Sequence, residues 1–217
     1  MPAVLARIET KARSMTDSTK PTPNTAEWAK WLEFQTFGDP KLVNAVNETA
    51  RFIRAIKDGE EPRWISYVGT SGTGKTYLVK RIMRWLARSP HWQAQAFNSG
   101  SRIVYPGQFV HWPRMAAELQ NREGYGWFGD IQSETFIALD EIGGERDSTG
   151  FVTEKLSTLL SARVGKWTMI TSNKGLEQIA RDLDTRIASR LIRDGNVVVE
   201  MSVADFALRK KQHHGAA

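Results

Sequence analysis

One run of eight residues has the spacing that best indicates chemistry, because two glycines five positions apart are followed at once by lysine and threonine. Glycines let the main chain turn so that its amide N–H groups point at phosphate oxygens. In this pattern the lysine ammonium meets the β- and γ-phosphates, and the threonine hydroxyl is placed to coordinate Mg²⁺. The spacing therefore predicts a nucleotide-binding loop with ATP and Mg²⁺ as its ligands. The run consists of Gly69, Thr70, Ser71, Gly72, Thr73, Gly74, Lys75 and Thr76.

The residues on either side of this loop predict the elements that must position it. Residues 64–68, which are mostly aromatic or apolar, predict a β-strand, and the chain after the loop has apolar residues at the spacing of one helix face, ended by Ser89-Pro90. The amino terminus of that helix turns its positive dipole end toward the phosphates. The alternative is a glycine-rich turn that binds no ligand, but such a turn does not require a strand before it and a helix after it, so the context favours the nucleotide-binding loop. The apolar residues of the helix face are Leu78, Ile82, Trp85 and Leu86.

A second chemical motif follows the apolar run 135–139, whose lack of alternation is typical of a strand buried on both faces of a parallel sheet. The run ends in Asp140 and Glu141, at the strand end where such sheets bind ligands. We expect Asp140 to hold Mg²⁺ directly or through water, and Glu141 to orient and deprotonate an attacking water. Asn173 follows the strand 167–172 and can hydrogen-bond the γ-phosphate or that water.

The order of elements predicts an α/β fold, the P-loop NTPase type with a five-stranded parallel sheet flanked by helices. Asp39-Pro40 is a helix start and Gly59 a helix stop. A second strand is expected over 108–112, a helix over 114–121, a loop over 122–129 and a last strand over 196–201. Residues 91–107 have no clean pattern. We assign 37–210 to the ATPase domain, 1–36 to a flexible tail with a short segment that packs or binds a partner, and 211–217 to a disordered tail.

Composition limits the classes of protein that this chain can be. The 217 residues are 41% hydrophobic and 25% charged, which is ordinary for a soluble domain. The absence of a long apolar run predicts that no segment spans a membrane, and the absence of an amino-terminal apolar region predicts no secretory signal. The chain has no cysteine, which is compatible with the reducing cytoplasm. The net charge of +6 and a sequence pI of about 9.6 suit a polyanionic partner.

An aromatic segment between the second strand and the acidic motif suggests how DNA is bound. In the expected loop, Arg122 can meet a phosphate, and Tyr125, Trp127 and Phe128 can stack on bases. The same aromatic residues could instead pack on the protein core. The interpretation predicts salt-sensitive binding of single strands.

Four motifs together resemble the AAA+ ATPases, and most closely their DnaC/IstB-like branch of helicase loaders and transposition ATPase subunits. They are the P-loop, the run Phe136–Gly143 ending Asp-Glu-Ile-Gly, the Ser-Asn pair before residue 174, and residues 184–191 with Arg-x-x-x-Arg. The resemblance covers roughly residues 37–210. It implies ATP hydrolysis, a sensor-1 role for Asn173, and an arginine finger at Arg186 or Arg190. It also implies binding of single-stranded DNA and action on a partner protein, for which a replicative helicase is expected.

The segment after the last strand is too short for the helical lid of larger AAA+ proteins, so we expect that domain and its sensor-2 arginine to be missing. With Asp184 as cap, Arg186 and Arg190 are expected on one exposed stripe, from which one would complete the site of a neighbouring subunit. Other functions stay open. The chain could assist a DNA transposase, phosphorylate a small molecule or nucleotide, or bind nucleotide without turnover.

Overall fold

The computed structural model describes residues 24–89 and 107–214, with side chains as far as Lys210. The expectations for residues 1–23, 90–106 and 215–217 lie outside the described residues. The strands are β1 (Trp64–Val68), β2 (Gln108–His111), β3 (Phe136–Asp140), β4 (Trp167–Ser172) and β5 (Val197–Glu200). The helices are α1 (Thr25–Leu32), α2 (Pro40–Asp58), α3 (Lys75–Arg88), α4 (Trp112–Gln120), α5 (Tyr125–Ser133), α6 (Phe151–Ala162), α7 (Leu176–Asp182), α8 (Thr185–Ile192) and α9 (Phe206–His214).

The five strands form one parallel sheet in the order β2-β3-β4-β1-β5. Every residue of β1, β3 and β4 is buried, as expected for central strands covered by helices on both faces. The predicted five-stranded parallel α/β sheet is therefore confirmed. Because all strands run the same way, the residues that follow β1, β3 and β4 meet at one edge of the sheet.

Two apolar cores lie on opposite faces of the sheet. One contains side chains of α4 to α8, including Trp112, Leu156 and Ile187, and the other contains side chains of α1, α2 and α3, including Ile53 and Leu78. Helix α2 begins and ends where the sequence predicts. Asp39 is its N-cap, with Oδ1 accepting a hydrogen bond from the amide of Lys41 (2.8 Å), and Gly59 is its C-cap. The α1 segment packs on the second core through Leu32, which is fully buried.

Arg163 lies fully buried at the opposite end of the sheet from the strand carboxyl ends. Its guanidinium donates to the main-chain oxygens of Glu134, Thr135 and Trp167, close to where β3 and β4 begin. Burial lowers the pKa of Arg163 to about 10, while the charge of Glu134 opposes this shift. The residue therefore ties the end of α6 to the starts of two central strands.

Two regions differ from the sequence-based expectation. The segment 122–129 is not a loop, because α5 begins at Tyr125, and burial of Phe128 and Ile131 offsets the helix cost of its glycines. Residues 211–214 continue α9 where a disordered tail is expected. The described residues after β5 form α9. None of the described helices is long and apolar enough to cross a membrane.

Candidate active site

The loop 69–76 connects β1 to α3, and its glycines have main-chain conformations that other residues rarely adopt. The φ angles are +119° at Gly69, +69° at Gly72 and +104° at Gly74. Space is also lacking, since a Cβ atom at Gly74 would lie 2.7 Å from the ring of Phe34, and one at Gly72 would overlap the carboxylate of Asp205. The loop therefore depends on glycine for both its turns and its close neighbours.

Lys75 begins α3 and is buried inside the loop, with 5% of its surface exposed. Its ammonium group donates to the carbonyl oxygens of Gly69 (2.9 Å) and Thr70. Burial lowers the pKa of Lys75 from its usual value, while the nearby carboxylates of Glu141 and Asp140 act in the opposite direction. An ammonium group has three donors, so this lysine can hold the loop closed and still donate to a phosphate oxygen.

Asp140 ends β3 and is 4% exposed. Its Oδ1 atom accepts hydrogen bonds from two hydroxyl groups, those of Thr76 (2.7 Å) and Thr171 (2.7 Å). Thr76 comes from the phosphate loop and Thr171 from the neighbouring strand β4. The arrangement joins the loop, β3 and β4 through one carboxylate.

Glu141 is the next residue, and its side chain is 43% exposed. Its φ angle is +64°, in the left-handed region that residues other than glycine rarely adopt. The amide of Glu141 donates to the Thr171 hydroxyl (2.9 Å), and its Oε2 atom lies 3.3 Å from Nε2 of His111 at the end of β2. The Glu141 side chain lines the cavity beside the phosphate loop.

Residues 71–76 and Glu141 line one cavity of about 480 Å³, which is in the size range of small-molecule sites, whereas Asp140 lies behind this wall and reaches it through its hydrogen bond with Thr76. The structure brings together Lys75, Thr76, Glu141 and Asn173 on its walls, as the sequence predicts. The remaining walls include residues that sequence reasoning did not single out as site residues: Glu33, Phe34, Gln35, Tyr77 and Phe206. The rings of Phe34 and Tyr77 lie 6.5 Å apart by their centroids.

The segment that follows β5 lies across the phosphate loop. The hydroxyl of Thr70 donates to the carbonyl of Val203 (2.9 Å), and the amide of Phe206 donates to the carbonyl of Gly72 (2.9 Å). Arg209 of α9 is 6% exposed, and its guanidinium reaches the carbonyl of Thr73 (3.4 Å). Nothing in the local sequence of residues 202–209 indicates this contact, since it depends on where β5 ends.

The two arginines of α8 have different surroundings, and neither lines the cavity at the phosphate loop. Arg186 has a side chain that is 75% exposed and pairs with Asp184 (2.7 Å), an interaction that lowers the pKa of this carboxyl. Arg190 is half-buried and donates to the main-chain oxygen (3.1 Å) and hydroxyl (2.8 Å) of Ser157. The expectation that both lie on one exposed stripe is wrong for Arg190, because its guanidinium turns back onto α6.

The proposed DNA-contacting aromatic residues are only partly accessible. Phe128 is 6% exposed and belongs to the core, and the indole of Trp127 donates to the side-chain oxygen of Gln108. Tyr125 is 45% exposed, with the ammonium group of Lys155 lying 5.7 Å from its ring centroid. Phe128 therefore cannot stack on a base, and core packing is its role.

The groups at the cavity fit Mg²⁺ and a nucleotide by their chemistry. Mg²⁺ keeps several waters and takes one or two protein oxygens beside the phosphates, and Thr76 and Asp140 present two oxygen groups in contact. Among the described residues no group of three His, Cys, Asp or Glu side chains could form a separate metal site. The glycine loop and Lys75 supply the donors that phosphates require.

No protein-family model matches the chain, and no curated protein matches it. Solved structures do match. DnaI is 23% identical over 74% of this chain and 83% of its own, with a TM-score of 0.54. A putative primosome component from Streptococcus pyogenes serotype M3 is 18% identical over 73% and 80%, with a TM-score of 0.52.

The replication initiator DnaA, in a structure bound to AMPPCP and single-stranded DNA, is 16% identical over 79% of this chain and 50% of its own, with a TM-score of 0.51. At these identities the matches establish the fold. They confirm the resemblance predicted from the motifs as a likeness of structure. The chain shares with DnaI and DnaA the α/β fold in which a P-loop follows the first strand of a five-stranded parallel sheet.

Proposed function

We propose that this protein binds and hydrolyses ATP with Mg²⁺ and acts in DNA replication, as a DnaC-like loader of a replicative helicase that binds single-stranded DNA. One observation carries the catalytic part. Residues 71–76 of the phosphate loop, Glu141 and Asn173 line a single cavity at the carboxyl edge of the sheet, and Asp140 is hydrogen-bonded to Thr76 on its wall.

Each residue has a distinct part in the reaction. The loop amides and Lys75 bind the β- and γ-phosphates, and Thr76 and Asp140 supply the protein oxygens for Mg²⁺, which neutralises phosphate charge when bound. Glu141 accepts a proton from the attacking water, and Asn173 orients that water or the γ-phosphate. Phe34, Tyr77 and Phe206 offer aromatic surface to the base.

Two substitutions separate binding from turnover. Lys75→Ala should remove most ATP binding, because the phosphates lose their cation. Glu141→Gln should keep ATP bound but lower hydrolysis by about 10²–10⁴-fold, because the proton acceptor is lost. Calorimetric titration and phosphate release measure the two effects. Parental turnover by Glu141→Gln would show that another group accepts the proton.

The replication role is supported by the fold shared with DnaI and with DnaA, and by the net charge of +6. Affinity capture with Glu141→Gln protein and ATP, followed by identification of the bound protein, tests it. A ring-forming helicase among the captured proteins would support the loader, whereas a transposase would support the transposition helper instead.

We further propose that the protein self-associates and that Arg186 reaches the γ-phosphate of a neighbouring subunit. The side chain of Arg186 is more exposed than that of Arg190. Its partner Asp184 is the N-cap residue of the same helix, so Arg186 can exchange this exposed local partner for a phosphate. Arg190 is tied to Ser157 of its own chain.

A further inference from the structure

A cationic and aromatic surface lies on the side of the molecule formed by α1, α2 and α3, away from the α5 segment. We refer to it as the tryptophan surface. Three indole rings form a row in which each ring meets the next edge to face, with centroids 5.5 Å apart for Trp28 and Trp31 and 6.3 Å apart for Trp31 and Trp85. Arg54, Lys57 and Arg81 lie against rings of this row, and α3, which carries Trp85 and Arg81, also carries Lys80, Arg84 and Arg88.

All charged residues of α3 are basic, because residues 75–88 contain no aspartate or glutamate. Lys80, Arg84 and Arg88 are exposed and follow one another at i, i+4 spacing, which places them about 6 Å apart along the helix. Like charges at this spacing destabilise a helix slightly. We call these three residues the α3 stripe. Among the described residues none of the three has an ion-pair partner, so a contribution to the stability of the helix does not explain the stripe.

The indole rings hold neighbouring cations in place. The guanidinium of Arg54 lies 5.5 Å from the ring centroid of Trp28, the ammonium of Lys57 lies 5.7 Å from that of Trp85, and the guanidinium of Arg81 lies 5.6 Å from that of Trp31. Such contacts attract the cation to the ring face. Of the three cations on the outer face of α3, Lys80 has a contact of the same kind, since its ammonium lies 5.1 Å from the ring centroid of Phe109. These four cations are therefore ordered before any partner binds, which lowers the entropy cost of binding.

Acidic groups are few on this surface. Glu33 forms an ion pair with Arg81 (2.9 Å), Glu27 is exposed on α1, and Asp58 is exposed at the end of α2. Trp31 is 37% exposed and so offers aromatic area beside the cations. Ordered cations with an exposed aromatic ring are the combination that binds single-stranded nucleic acid, through phosphates and base stacking.

We infer that the tryptophan surface binds single-stranded DNA, with the α3 stripe on the phosphates and Trp31 on a base. The inference rests on the proposed function in that the protein binds single strands, and it assigns that binding to a surface other than residues 122–128. The latter segment has Arg122 next to Glu123, and its Phe128 is in the core.

Matched charge changes test the assignment. The test variant is Lys80→Gln, Arg84→Gln and Arg88→Gln in one chain. The control is Arg114→Gln, Arg122→Gln and Arg181→Gln, which removes three exposed cations from other helices and loops, including the one beside the α5 segment. Fluorescence anisotropy with a labelled oligothymidylate, repeated over a salt series, measures binding. Thermal unfolding and phosphate release verify that both variants are folded.

Loss of three phosphate contacts should lower the slope of log K against log salt by about 2 and weaken binding roughly 10–100-fold near 0.1 M salt. The control should bind within about two-fold of the parent at the same salt if its three cations make no phosphate contact. Trp31→Ala should weaken binding about five-fold or more if a base stacks there. It should leave the weaker binding of a duplex probe unchanged.

The outcomes separate this inference from the proposed function. A parent protein that binds no single strand overturns both the inference and the DNA part of the proposed function. A parent that binds, with equal loss in the test and control variants, overturns the inference alone. Equal binding of single and double strands with no effect of Trp31→Ala overturns the assignment to single strands.

Discussion

Thr171 is fully buried next to Asp140 and Glu141. Substitutions that remove its hydroxyl or its methyl group should distinguish the contribution of hydrogen bonding from that of packing to the stability of this end of the site. It donates to Asp140 Oδ1 (2.7 Å) and accepts from the amide of Glu141 (2.9 Å). Thr171→Val keeps the shape of the side chain and removes both hydrogen bonds. Thr171→Ser keeps both hydrogen bonds and removes one methyl group, which makes it the matched control.

The size of the effect follows from the two contacts. A hydrogen bond to a charged group contributes about 1.5–3 kcal/mol and one between neutral groups about 0.5–1.5 kcal/mol, so Thr171→Val should lower the free energy of unfolding by about 2–4 kcal/mol. In a chain of this size that corresponds to a fall in Tm of about 4–16 °C. The serine control loses roughly 1 kcal/mol of methyl burial.

Thermal unfolding without nucleotide gives the order of stability, and a Mg²⁺ titration of ATP hydrolysis gives the functional effect. Because Asp140 keeps only the Thr76 hydroxyl in the valine variant, we expect its apparent Mg²⁺ affinity to fall about 10–100-fold. If packing alone explained Thr171, serine would be the less stable variant. A valine variant as stable as the parent, or more stable than serine, would refute the reasoning.

The remaining predictions concern the base and the neighbouring subunit. Phe206→Ala should weaken ATP binding by about 1–3 kcal/mol in calorimetric titration if the base stacks on this ring. Leu208→Ala, which removes another exposed side chain of α9, should not weaken it. Equal affinities of the two variants for ATP would exclude the stacking. Mixing Arg186→Ala protein with Lys75→Ala protein should restore phosphate release that neither has alone, because an intact arginine completes an intact phosphate loop. A mixture of Arg181→Ala protein with Lys75→Ala protein serves as the reference, because Arg181 is exposed on α7 and this mixture keeps Arg186. An Arg186→Ala mixture that assembles but stays inactive would contradict the trans arrangement.

The part of the site predicted best from the sequence is the part that is contiguous in the chain. Gly69–Thr76 carries its own turns, donors and helix start, and the apolar run before Asp140 identifies a buried central strand. Both are local signals, and strand direction then brings their ends to one edge. The roles of Lys75, Glu141 and Asn173 remain predictions, although the three residues line the same cavity.

The loop expected over 122–129 is wrong because the local composition of this segment and its burial indicate different structures. Gly126 and Gly129 lower helix propensity and indicate a loop. Phe128 and Ile131 lie three positions apart and are both buried, and this tertiary packing determines the helix. Propensity is a weak signal when a short segment carries two large side chains that the core can bury.

Thr171 could not be assigned a role before the strand order was known. Strand β4 pairs with both β3 and β1, so its last residues lie between the acid of one and the phosphate loop of the other. A threonine in a buried strand is otherwise an ordinary β-former. Only the parallel register, with Leu139 opposite Ile170, brings the Thr171 hydroxyl within reach of the Asp140 carboxylate.

The contacts between the phosphate loop and the chain after β5 have a consequence for how the site works. Gly72 accepts a hydrogen bond from the amide of Phe206, and there is no space for a side chain between Gly72 and Asp205. A shift of the loop would therefore move the start of α9, and the ring of Phe206 with it. Since that ring also lines the cavity, we expect binding at the phosphate end of the cavity to be coupled to binding at its aromatic end through these main-chain contacts.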